Sequence, residues 1–420
     1  MNSSQKKIAL ILIYCMIFID WMGIGLVYPM FSSMIYQKDS LLLPHDTLET
    51  VKGTVLGILI AITPFVSFFF SPVFGTLSDM KGRRGILIWC LSIGVIGYLI
   101  GCFGVFSQSL AILFLSRVLV GISCANSSVI GAALVDVSAP EEKARNFGYF
   151  NMACGIGFMV GPFIGGKLSE SFLFWDGGYH VPFLFAGIVT LINLILVLFL
   201  FKETNFSKRD QKIDFLQGVL NIRQAFQSRE MKLLFCSILL FSFGWCFYWE
   251  FISVTWIDQF QFTASEIGNV YAYGAIFYSL SSGFLVPALS KCMRPEKLLL
   301  MGLILSGIAI FSNELNRTGD ELWWIIPFQQ TCISLLFPTA AALVSNMAGE
   351  KNQGEYLGIF YSIESFGFGF SPLISGFLLG FYVKMPIVAG GGAMIFAAGC
   401  LYLFLKQGAK APKVEALELQ

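Results

Sequence analysis

The sequence predicts an all-α polytopic membrane protein, with twelve transmembrane helices in two parallel six-helix repeats, and three observations carry that prediction. Hydrophobic residues make up 56% of the 420 and charged residues only 13%, against roughly 25% charged in an ordinary soluble domain. The apolar residues gather in twelve stretches, each near the roughly 20 residues that cross about 30 Å of hydrocarbon. A set of glycines and prolines then recurs at one constant offset between the first six stretches and the second six.

Helices are expected at 8–34, 54–77, 86–106, 110–135, 147–170 and 182–201, then at 233–257, 267–289, 298–313, 322–346, 356–380 and 386–405. Lys6 and Lys7 precede an apolar run that outlasts a secretory signal's roughly 7 to 15 residues. It is read as a retained first helix. Between the sets, Lys202 to Lys232 is the one extended polar stretch. The chain is therefore divided into an N-terminal bundle (1–201), a linker (202–232), a C-terminal bundle (233–405) and a tail (406–420).

Lys and Arg concentrate in short cytoplasmic loops, which sets the expected orientation. One side would hold Lys6, Lys7, Lys81, Arg83, Arg84, Lys143, Arg145, the basic linker, Lys291, Arg294, Lys297, Lys351, Lys406, Lys410 and Lys413. The other would hold only Lys38, Lys52, Lys167, Arg317 and Lys384. Both termini are expected to be cytoplasmic, in a multi-pass protein of the inner (plasma) membrane.

The repeat is explicit in helices five and eleven, where Gly148, Gly157, Pro162 and Gly166 match Gly358, Gly367, Pro372 and Gly376. Ala132-Ala133-Leu134-Val135 recurs as Ala341-Ala342-Leu343-Val344, and Leu77-Ser78 as Leu289-Ser290. Parallel halves around a midplane site form an alternating-access architecture.

Other classes find little support. A net charge of +1 gives no bulk attraction to nucleic acid, and no nucleic-acid partner is expected. The ten cysteines are scattered without Cys-x-x-Cys spacing and are read as reduced packing residues. The two histidines, His45 and His180, fall in outer loops. With no nucleophile motif, metal cluster or phosphate-cradling loop, an enzyme is not expected, nor a cofactor or a bound metal. Energy for transport would come from an ion gradient or from the substrate's own.

Four charged residues fall well inside the apolar stretches, away from their ends. Asp20 lies 12 residues after Ile8, so roughly 18 Å along its helix at about 1.5 Å per residue, near the midplane. A carboxylate there is expensive unless neutralised, paired or hydrated, and is a functional-site hypothesis by default. It can be neutral in a dry closed site and ionised in a wet open one, which suits a proton carrier; a static hydrogen bond to a neighbouring helix is the alternative. Arg117 lies roughly 12 Å deep in helix four and cannot shed its charge, so Asp20 is its expected partner, unless it is a fixed brace between helices. Glu250 sits among Trp245, Phe247, Tyr248 and Trp249, a setting for a cationic or aromatic ligand or an interfacial aromatic belt. Glu364 is a second candidate acid. Trp21, Tyr28, Asn126, Gln329 and Gln330 complete the cavity candidates, with interhelical hydrogen bonding as the competing role for the amides.

At these residues the chain resembles the major facilitator superfamily, and within it the 12-helix drug/proton antiporters. Gly75-Thr-Leu-Ser-Asp79-Met-Lys-Gly82-Arg83-Arg84 is similar to the family's loop signature, departing only at Met80, where Arg is usual. Arg117-x-x-x-Gly121 is similar to the second motif, and Gly157-x-x-x-Gly161-Pro162-x-x-Gly165-Gly166 to the motif of exporters. Read from the residues alone, the last run is small-residue helix packing. Asp20-Trp-Met-Gly-Ile-Gly-Leu-Val-Tyr-Pro29 resembles the first helix of bacterial tetracycline/proton antiporters. Those carry an Asp just before a Tyr in helix three, where this chain has Gly97-Tyr98.

The resemblance implies that Asp79 faces the N-terminus of helix eleven while Arg83 and Arg84 reach Asp136, latching the cytoplasmic side in the outward-facing state. In the second half the matching loop carries Lys291 at the acidic position, so a one-sided latch is expected. The resulting expectation is a monomeric, proton-coupled exporter of a small amphipathic compound or drug, partnered by protons, that small molecule and the lipid bilayer. A proton symporter importing a nutrient would use the same fold and acid. A non-transporting receptor would not need the buried charges.

Overall fold

The structure, a computed structural model, describes residues 3–37, 42–44, 46–139, 142–170, 177–205, 213–227 and 231–407. Lys38, His45, most of the tail with Lys410 and Lys413, and parts of the linker lie outside the described residues. Twelve helices are long and apolar enough to span a bilayer: α1 (Lys6–Tyr36), α2 (Glu49–Lys81), α3 (Arg83–Phe106), α4 (Leu110–Val137), α5 (Arg145–Ser169) and α6 (His180–Leu200) in the first set. The second set is α7 (Lys232–Phe260), α8 (Ala264–Cys292), α9 (Pro295–Leu315), α10 (Gly319–Ala348), α11 (Tyr356–Leu379) and α12 (Met385–Lys406). Among the described residues there is no strand. The linker forms a short helix, Gln217–Gln227.

Two span boundaries have a clear local cause. Gly82, at φ +110°, lets α2 turn directly into α3 in a conformation a side chain would strain. Thr263 and Glu266 cap α8 reciprocally, satisfying two backbone N–H groups that water alone would otherwise have to meet. Three spans depart from the expected continuous helices. The α-helix breaks at Ala125 and Asn126 in α4 and at Ser334 and Leu335 in α10, positions related by the same offset as the Ala-Ala-Leu-Val repeat. A π-helical turn at Ser281–Leu285 interrupts α8.

The two sets meet along two equivalent seams. In one, Gly166 of α5 lies against the backbone of Ala264 and Ser265 of α8, while Gly268 lies under the carbonyl of Pro162. In the other, Gly376 of α11 lies against Gly53 and Gly57 of α2, with Gly57 under the carbonyl of Pro372. A Cβ at Gly166 would stand 2.6 Å from the Ala264 carbonyl oxygen, inside contact distance, so only glycine permits this approach. Within the first set, Gly157, Gly161 and Gly165 form a second glycine edge of α5, pressed on the α1 backbone from Phe18 to Leu26.

These seams sit at one end of the molecule. Define the terminal face as the end bearing Lys6 and Lys406, and the opposite face as the end bearing Tyr36 and His180. The core nearest the opposite face combines Met30, Phe31 and Leu56 of the first set with Phe251, Val254 and Ala264 of the second. Ser253 donates to Ser32 there at 2.8 Å. The core nearest the terminal face, from Ala9 and Leu87 to Val137 and Phe201, is built from the first set alone. Among the described residues, the core shared by the two sets thus lies toward the opposite face, while the core nearest the terminal face belongs to the first set.

Candidate functional site

Asp20 lies 14 residues into the 31-residue α1, roughly 21 Å along it, and is half-buried. Asn126, in the break of α4, donates its Nδ2–H to the Asp20 carboxylate at 2.8 Å. A continuous helix would spend the backbone groups around Asn126 on its own ladder and fix its side chain in the regular register. The irregularity is slight: Ala125 and Asn126 keep right-handed helical dihedrals, the Asn126 N–H turns to the Ser123 carbonyl at 3.0 Å and its own carbonyl still accepts from Ile130 at 2.9 Å, so what the break shifts is the side-chain register. The other carboxylate face of Asp20 is free for solvent or a proton.

The ion pair expected between Asp20 and Arg117 is not formed. Arg117 precedes Asn126 by nine residues, roughly 13 Å along the axis, which places it well toward the opposite face from Asp20. Its side chain is 3% exposed and stands over the rings of Phe183, Phe31 and Tyr98 at 5.2, 5.4 and 5.8 Å. Its Nη2–H donates to Ser116 Oγ at 3.1 Å, and that hydroxyl donates to the Gly97 carbonyl at 2.7 Å. Desolvated cation–π contacts contribute about 2 kcal/mol each. The cage therefore substitutes for the carboxylate, while the Arg117 Nε–H has no partner among the described residues. Gly97 is also tightly packed, since a Cβ would stand 3.1 Å from the Val120 amide nitrogen of α4.

From Asp20 an aromatic track crosses between the halves. Trp21 meets Phe158 of α5 edge-on at 5.7 Å, and Phe158 meets Trp249 of α7 at 6.0 Å. Trp249 stacks on Trp245 at 4.9 Å and touches Tyr271 of α8 at 4.5 Å. Tyr28 joins through Phe158. The structure thus brings together Trp21, Tyr28, Trp245 and Trp249. Sequence reasoning missed Phe158 and Tyr271, because one more aromatic in an apolar span carries no signal until the helices are packed.

The acids and amides of the second set divide. Glu250 is 7% exposed, and its Oε2 has no hydrogen-bond partner among the described residues. Glu364 is half-buried on α11. Gln329 accepts from the Tyr248 hydroxyl at 2.7 Å and from Asn313 at 3.4 Å, so it ties α10 to α7 and α9. Gln330 packs beside Gly274 of α8.

At the terminal face, Arg83 is the hub. It pairs with Asp79 at 2.6 Å and with Asp136 at 3.1 Å, and donates to Ser78 Oγ at 2.6 Å. Arg84 does not reach Asp136; it donates to the Leu198 carbonyl of α6 at 2.7 Å. Asp79 pairs with Arg83, and among the described residues no contact joins it to α11. The chain just after α6 completes the cluster and was not foreseen. Glu203 accepts the backbone N–H of Arg83 and Arg84 at 2.8 and 3.1 Å, capping the N-terminus of α3 where partial positive charge favours a carboxylate. Asn205 donates to the carbonyls of Ser78 and Asp79, and Thr204 to Asp136. An acidic residue followed by Thr and Asn at a helix boundary is a capping signal that could have been read.

Comparison with known proteins follows this geometry. The family model for the Major Facilitator Superfamily matches residues 10–312 and 234–418. The chain is 27% identical over 376 residues to the tetracycline resistance protein, class C, of Escherichia coli, covering 87% of this chain and 88% of that protein. It is 26% identical over 408 residues to the quinolone resistance protein NorA of Staphylococcus aureus (strain COL), covering 95% and 96%. Among solved structures, a bacterial homologue of the human lysosomal transporter Spinster, inward-facing and unoccupied, aligns with a TM-score of 0.76 at 14% identity over 99% of this chain and all of that one.

Proposed function

The chain belongs to the major facilitator superfamily, and we propose that within it the protein exports a small amphipathic organic compound in exchange for protons, by alternating access across the plasma membrane with both termini in the cytoplasm. A family transporter, not an enzyme, is the premise; proton coupling, direction and residue roles are the proposal. The observation that carries it is Asp20, mid-span and half-buried, held by Asn126 at the break of α4 and opening onto the aromatic track.

As a carboxylate, Asp20 accepts a charge-assisted hydrogen bond, roughly twice as strong as a neutral one. Protonation removes that advantage and loosens α1 from the second segment of α4. Because α1 is pressed on the glycine edge of α5, and α5 on α8 across the seam, the change at Asp20 acts directly on the contact that must open. In this reading the structure is the inward-facing state, with Asp79, Arg83 and Asp136 as the latch that engages the other half when the terminal face closes. Arg117 fixes α4 beneath the core that the two sets share toward the opposite face and modulates Asp20 through α4, not by contact. The track from Trp21 to Tyr271, with Glu250 beside it, suits a planar aromatic compound with a polar end. The names of the relatives, which are drug-resistance proteins, favour a drug-like compound.

The test uses purified protein in liposomes under an imposed pH gradient, offered tetracycline and a quinolone in turn. Proton release into the lumen or medium should accompany substrate movement in the opposite direction. Asp20→Asn should remain folded by size-exclusion chromatography and lose coupling. Substrate moving in the same direction as protons identifies an importing symporter instead, and an Asp20→Asn protein that still couples at the wild-type rate removes the proton role.

A further inference from the structure

Outside the transport path, the linker helix Gln217–Gln227 carries an unexplained surface. Gly218, Ile222, Ala225 and Phe226 face the protein: Gly218 lies against the Phe68 ring of α2, and Ala225, Ile222 and Phe226 pack into the core of the second set. Asn221 donates to Ser362 Oγ of α11 at 3.0 Å. At about 100° per residue, the polar side is Gln217, Asn221 and Gln224. Between the protein face and the polar side runs an apolar edge of Phe215, Leu216, Val219 and Leu220, exposed by 51, 54, 41 and 43%. Arg223 projects from the middle of that edge.

We propose that this edge lies in the headgroup region of the leaflet at the terminal face and binds anionic phospholipid, with Arg223 at the phosphate. A ring-to-ring path to the exposed Trp89 is the first argument. Phe215 meets Phe70 of α2 at 5.9 Å, Phe70 meets Phe74, and Phe74 meets Trp89 of α3 at 6.0 Å. Trp89 is 57% exposed six residues into α3, roughly 9 Å from its start, the depth at which Trp marks a membrane–water interface. The edge of the linker helix is therefore anchored, through Phe70 and the buried ring of Phe74, to the helix that carries the exposed Trp89 at the same end of the molecule.

Charge is the second argument. An apolar edge with a single guanidinium matches the acyl–phosphate boundary, where the Arg stem stays in the apolar layer and its head reaches the phosphate. The linker as a whole, with Lys202, Lys208, Arg209, Lys212, Arg223, Arg229 and Lys232, carries more basic than acidic residues, and each basic residue near an anionic surface adds to the attraction.

The test places the photo-crosslinker p-benzoylphenylalanine at Leu220 or at Gln217 in the full chain, reconstituted in nanodiscs of phosphatidylcholine alone or mixed equally with phosphatidylglycerol. Both positions are exposed, so the fold tolerates them. Leu220 should give about tenfold more phospholipid adduct than Gln217. In the mixed discs Arg223→Gln should lower the share of phosphatidylglycerol adduct at Leu220 about fivefold. Equal adducts at the two positions, or a cross-linked second copy of the chain at Leu220, would overturn the proposal, as would a headgroup ratio that ignores Arg223.

Discussion

Asn126 in α4 and Leu335 in α10 occupy equivalent breaks in equivalent helices, yet one holds a carboxylate and the other is buried in apolar packing. The seams repeat more faithfully: Gly166 on Ala264 and Ser265 is matched by Gly376 on Gly53 and Gly57, and Pro162 over Gly268 by Pro372 over Gly57. The second set places its acids elsewhere, at Glu250 and Glu364, without an amide donor like Asn126. The comparison teaches that backbone contacts between the two sets were kept in duplicate, while the polar groups differ in kind and place between them. Rigid-body rocking needs two matched seams, whereas a single titrating carboxylate suffices to bias them.

The largest expected effect contrasts acids between the halves. Asp20→Asn should abolish the pH-driven component of transport in liposomes, while Glu364→Gln should leave proton coupling intact and act on substrate affinity. Loss of coupling in both variants would make the halves equal partners in proton transfer. Next, Asn126→Leu gives the first set the residue of the second and removes the hydrogen bond to Asp20. A bond to a charged group contributes about 1.5–3 kcal/mol, so thermal unfolding should shift by that amount and transport should fall with it.

Gly161→Ala tests the glycine edge. Its Cβ would stand 2.6 Å from the Met22 carbonyl oxygen, and such overpacking costs about 1–3 kcal/mol. By contrast, Gly148→Ala meets nothing within 4 Å and should raise stability by up to about 0.8–1.0 kcal/mol through helix propensity. An effect of similar size is expected at the terminal face, where Glu203→Ala removes the carboxylate that caps α3. A cap contributes about 1 kcal/mol, and calorimetry in detergent should register a loss of that size with transport largely retained.

Much of this was legible from residues. Spans and repeat follow from length, hydropathy and glycine spacing, because a bilayer tolerates few other solutions. Asp20 announced itself by cost alone. The pairing of Asp20 with Arg117 did not survive packing, since depth along two helices says how far each residue lies from its own end, not whether the two levels coincide. The break at Asn126 was equally hidden: Ala125-Asn126 does not interrupt hydropathy, and neither residue is a helix breaker of the rank of proline.

By itself the sequence determined twelve spans, their duplication, and the few positions where charge is held against the cost of the membrane. Tertiary structure alone decided where the two sets share a core, that Arg117 is satisfied by Phe31, Tyr98 and Phe183 instead of a carboxylate, and that Asp20 meets Asn126. Burial cost is a property of a residue and its span, so it can be read along the chain. Partnership depends on helix rotation and register, which are set by contacts between residues far apart in sequence.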